Sequence, residues 1–159
     1  MRMAKREARD VARIGRRILV SSGMQSEKRF VQHGDISVYA HSLAVAVLCL
    51  WLSRRLPGRS DERALVRGAL LHDYFLYDWH EDDPSHRWHG FHHAAAALRN
   101  AERDFSLGRI ERDMISSHMF PLNLRPPRCR ESAILCMADK IVATRETVRG
   151  LFRRRGQKA

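Results

Sequence analysis

Long apolar runs are missing from this 159-residue chain. The longest, Leu43 to Leu52, is half of the roughly 20 residues that a membrane-crossing helix needs, so no membrane span is expected. The start is basic but leads into no apolar core, and no signal peptide is expected either. Strand-like alternation and internal repeats are also absent, which leaves the all-α class. Cysteine is scarce: Cys49, Cys129 and Cys136 are odd in number and form no close metal-type pair. Cys49 and Cys136 lie in apolar helical text and read as reduced core residues of a cytoplasmic protein. Acidic residues are outnumbered, 18 against 29 Lys and Arg, for a net charge of +11.

What is present suits one globular domain. Hydrophobic residues make up 44% and charged residues 30%, which excludes general disorder. The basic excess gathers at the ends, in a helix over residues 1–20 and a tail over 153–159. Such clusters can attract nucleic acid or anionic nucleotides by their field. No aromatic residue is interleaved with them, so a stacking platform for single strands is not expected.

Helical spacing organises the rest. A first helix is expected over Ala4–Val20, with a narrow apolar stripe and a stop at Ser21-Ser22-Gly23. A short second helix is expected over Ser26–Gln32, then a turn at His33-Gly34-Asp35. Ser37 caps a long helix ending near Pro57-Gly58, apolar nearly all round and therefore central. Ser60 or Asp61 starts the next, which ends at His72-Asp73. Further helices are expected from Phe91 to about Glu102, from Ser106 or Gly108 towards Pro121, and from Glu131 to about Phe152. Between Tyr77 and Gly90 lies a loop rich in His, Trp and acidic residues, expected to flank a site as a lid.

Several helices bring a polar residue to an apolar face. His41 follows the spacing of Val38, Val45 and Leu48, and His72 that of Leu65, Gly68 and Ala69. His118 shares a face with Ile110, Met114 and Ile115, and Asp139 with Leu135, Ala138 and Val142. His92 or His93 opens a fifth helix. A buried carboxylate is costly unless it is paired or bound to a cation. Divalent metal explains all five at once, because it neutralises carboxylates and uses imidazole nitrogens.

The order His41, His72-Asp73, Asp139 resembles the HD-domain superfamily of metal-dependent phosphohydrolases, over roughly His33 to Val148. The resemblance implies a helical bundle of about six to seven helices, one domain over 1–159, with a metal-binding core over 33–150. Those four residues would hold one divalent metal. Two further histidines in some members hold a second metal, with the doublet Asp shared, and here they match His93 and His118. Leu76-Tyr77-Asp78-Trp79-His80 and His89-Gly90-Phe91 look like a small bacterial branch of the superfamily. Proline often follows the first added histidine, whereas Ala94 stands here, and His92 stays an alternative to His93.

The activity so implied is hydrolysis of a phosphoester, a nucleotide or another small phosphate ester, by a metal-activated water. Asp73 and Lys140 are the catalytic candidates, while His80, His86, Arg87 and His89 are candidates for binding substrate. Two divalent ions are expected, of the iron, manganese, magnesium, nickel, cobalt or zinc type. Partners are a small phosphorylated substrate and, through the basic termini, nucleic acid; no membrane partner is expected. Two other readings stay open: a two-iron oxygenase on the same scaffold, and a basic nucleic-acid-binding module whose metal site is structural.

Overall fold

A computed structural model describes residues 2–33, 35–76 and 89–156. Among them are eight helices and one small hairpin: α1 (Arg2–Ile14), α2 (Arg16–Leu19), α3 (Ser22–Ser26), β1 (Val31–His33), β2 (Ile36–Ser37), α4 (Val38–Ser53), α5 (Glu62–Leu71), α6 (His89–Asp104), α7 (Arg109–Ser117) and α8 (Arg130–Gly156). The all-α class holds, and no described helix is long and apolar enough to cross a membrane.

The longer helices start where local chemistry directs. Ser37 Oγ accepts from Ala40 N at the head of α4, and Asp61 Oδ1 accepts from Arg63 N and Ala64 N at the head of α5. Gly108 opens α7, its N–H donating to the Glu111 carboxylate. α4 ends at Ser53, short of the expected Leu56, and Gly58, at φ 98°, supplies a left-handed residue in the bend that follows.

The N-terminal region departs from its expected form. The first helix is broken at Gly15 (φ −84°, ψ 3°), where the chain bends into α2. A Cβ at Gly15 would lie 2.3 Å from Leu70 Cδ1, so the bend brings the backbone hard against α5. Ser21 does not only stop that helix. Its Oγ accepts from Met24 N and starts α3 at Ser22, four residues earlier than the expected Ser26. The stretch expected to be helical up to Gln32 instead becomes β1, paired antiparallel with β2 across an irregular register. The helix started early by Ser21 is spent before Phe30-Val31, whose side chains suit an extended chain.

Packing puts α4 at the centre, with α5, α8 and α1 around it, and α7 fills the space between α5, α6 and α8. Leu65, Val66, Ala69, Leu70 and Leu71 of α5 are fully buried, as are Val45, Ala46, Cys49 and Leu50 of α4. Truncating any one of the leucines to alanine should cost about 2–5 kcal/mol. The last residues of α5 and α7 therefore reach the interior at the same end of the bundle, against one side of α4 and α8.

Candidate metal centre

Two histidines arrive in the same way. His72 closes α5 and His118 closes α7, each still in helical backbone conformation. Each turns its Nδ1 back to donate to the carbonyl three residues earlier, Ala69 O and Ile115 O, both at 2.8 Å. The Nε2 lone pair of each ring is thereby aimed inward, the tautomer a metal ligand needs. Both imidazoles are buried.

Between them sits Asp73. Its Oδ2 lies 3.3 Å from His72 Nε2 and 3.8 Å from His41 Nε2, while its Oδ1 lies 3.4 Å from both His93 Nε2 and His118 Nε2. One carboxylate thus faces two sets of imidazoles, one set per oxygen. Asp139, reaching in from α8, places Oδ1 3.1 Å from His41 Nε2 and 3.6 Å from His72 Nε2. His93 Nε2 and His118 Nε2 are 2.9 Å apart.

Electrostatics shows what this cluster attracts. Burial works against the charge on Asp73, yet His72, His118 and His93 hold its carboxyl well below the ordinary range. Asp139 is likewise held well below it, by His41 and His72, despite its burial. Burial pulls His41 down, but its bonds to Asp139 and Glu146 win and push it up to about 9. His72 is raised well above its ordinary value by Asp73 and Asp139, against the same desolvation. Burial lowers His118. Without a cation, the carboxylates draw protons onto the nearest imidazoles.

A divalent ion fits this donor set. His72 Nε2 and Asp73 Oδ1 are buried without a hydrogen-bond partner, which is costly unless a cation completes them. The ligand atoms of His41, His72 and Asp73 lie within 4.8 Å of one another, and so do those of Asp73, His93 and His118. Either group could hold a metal ion. A cleft of about 700 Å³ elsewhere, lined by Asp61, Arg109, Arg125 and Cys129 among others, holds none of these residues.

The structure brings together His41, His72, Asp73, His93, His118 and Asp139. His93 is the histidine at the cluster; the side chain of His92 lies outside the described residues. Lys140 is exposed, its Nζ donating to His118 O at 3.4 Å and Cys136 O at 3.3 Å, on the end of α7 and not inside the cluster. His80, His86 and Arg87 lie outside the described residues, as does the expected lid from 77 to 88, and His89 is described only as the first residue of α6.

Three neighbours were missed by the sequence. Glu146 Oε2 lies 2.8 Å from His41 Nδ1, making a carboxylate–imidazole pair that orients the ring. It stands seven residues after Asp139, two helical turns along the same face, which is a readable signal. Gln32 Nε2 donates to Asp73 Oδ2 at 2.6 Å. Glu27, at the end of α3, is fully buried with neither carboxylate oxygen partnered, and burial and the charge of Asp73 raise its carboxyl well above its ordinary value.

The turn carrying Asp73 is held from outside. Asn100 Nδ2 donates to Tyr74 O at 3.1 Å and Phe75 O at 2.9 Å, and Tyr74 Oη donates to Asp104 Oδ2 at 2.9 Å. Leu76 follows at φ 61°, a left-handed conformation that a leucine adopts only under constraint.

Fold and centre together define an all-α protein with a buried His/Asp cluster able to hold divalent metal. The model of the HD domain matches residues 38–144, and the chain belongs to that family. The match starts at the first residue of α4 and spans all six clustered residues. HD domains are in general metal-dependent hydrolases. No curated protein and no solved structure matches the chain.

Proposed function

We propose that the protein is a phosphohydrolase that uses two divalent cations to cleave a phosphoester, a nucleotide or another small phosphate ester. The observation that carries this reading is Asp73, with Oδ2 towards His41 and His72 and Oδ1 towards His93 and His118. His41, His72 and Asp139 would hold one ion and His93 and His118 the other, with Asp73 shared. Bound there, the ions supply a water of lowered pKa and positive charge for the phosphate oxygens.

The chain's own residues prepare that chemistry. Glu146 orients His41, and the carbonyls of Ala69 and Ile115 orient His72 and His118. Gln32 fixes the rotation of the Asp73 carboxylate by donating to one oxygen, which leaves the other facing His93 and His118. Lys140, on the His118 carbonyl, is assigned to the phosphate charge. His80, His86, Arg87 and His89 are assigned to the phosphate and the leaving oxygen, since the chain carrying them departs after Asp73 and returns before His93.

A panel of phosphoesters, offered to protein stripped of metal and reloaded with manganese or iron, tests the reading. Turnover should require the metal, vanish with chelator, and fall about 100-fold or more in Asp73→Asn. Metal-loaded protein that turns over no phosphoester, or only an organic substrate with consumption of oxygen, would overturn it.

A further inference from the structure

Among the described residues, exposed large apolar side chains gather along α8 and the connection before it. Met137, Ile141, Val148, Leu151 and Phe152 are all exposed and recur at helical spacing, Leu151 at 59% and Phe152 at 68%. The two acidic residues of this stretch that meet His41, Asp139 and Glu146, leave the opposite side of the helix. The outer face is therefore apolar down its middle and basic at its edges, with Lys140 on one side and Arg145 and Arg149 on the other. Arg145 and Arg149 make no ion pair with any described residue.

The far end carries the same chemistry. Leu124, 92% exposed, precedes the exposed Arg125 and Arg128 in the α7–α8 connection. That connection starts against α8, where Lys140 Nζ meets His118 O and Cys136 Sγ meets Ser117 O. α8 has 27 residues, about 40 Å of helix, and runs to Gly156, twelve residues beyond the family match at 144.

We propose that this face of α8 rests on an anionic lipid surface. Val148, Leu151 and Phe152 enter the boundary of the acyl chains while Arg145 and Arg149 meet headgroup phosphates. Charge selects the occupant. A second copy would bring basic edges against basic edges, which opposes self-pairing. A single exposed helix face with an apolar middle and basic edges suits a lipid surface. Docking on this side leaves the contacts of Asp139 and Glu146 with His41 undisturbed.

Co-sedimentation of the full chain with vesicles tests this, using phosphatidylcholine alone or mixed with phosphatidylserine. The protein should bind only the mixed vesicles and release at high salt. Leu151→Ser with Phe152→Ser should lower binding about tenfold without moving the melting temperature. No binding to the mixed vesicles overturns the proposal. So does binding that survives the double substitution, which would be the diffuse attraction of a +11 chain. A dimer that dissociates in the double variant and never binds vesicles assigns the face to a second copy.

Discussion

Glu27 shows how much a single residue can carry when it lies in the interior. Its side chain is fully buried, and neither oxygen has a partner. Burial, reinforced by Asp73, raises its carboxyl well above the value near 4.3 expected for the unfolded chain. The folded state then keeps a proton that the unfolded chain has released, so stability falls as pH rises from that value towards the raised one. In metal-stripped protein, Glu27→Gln should remove this fall. The variant should exceed wild type by about 1–3 kcal/mol near pH 8, with the gap closing towards pH 4. Urea unfolding across pH measures it, and parallel curves for the two proteins would contradict the assignment. Glu27 and Gln32 mark the limit of what the sequence shows at this scale. His41, His72, His118 and Asp139 stand out because each interrupts an apolar stripe. Glu27 and Gln32 sit in polar text whose fold is irregular, where no periodic contrast points inward. Glu146 lay in the legible part, at the seventh position from Asp139.

The elements that deliver the clustered residues were largely legible from caps and stops. Ser37, Asp61 and Gly108 begin α4, α5 and α7 as their chemistry requires. The first helix was legible apart from its break, but the bend at Gly15 and the hairpin were not, because they depend on contacts with Leu70 and with α8. The ends of α5 and α7 come together because the helices pack closely at Gly68. A Cβ there would lie 2.6 Å from Met114 Sδ. Gly68→Ala should therefore cost about 1–3 kcal/mol by overpacking and push the His72 and His118 ends apart. Thermal melting together with metal titration reads both effects. Unchanged stability and affinity would mean that the flexible Met114 side chain simply moves aside.

At the scale of the whole molecule, one bundle places residues from five segments around the single carboxylate of Asp73. His41 comes from α4, His72 and Asp73 from the end of α5, His93 from α6, His118 from α7 and Asp139 from α8. Cation binding should then stabilise the fold as a whole, because it neutralises charges buried on helices far apart in sequence. Metal content per chain at saturation, in wild type and in His118→Ala, tests this most directly. Two ions in wild type and one in the variant are expected, since the His41, His72 and Asp139 side of Asp73 remains complete. One ion in wild type, unchanged by His118→Ala, would contradict the shared carboxylate and leave His93 and His118 as ordinary core histidines.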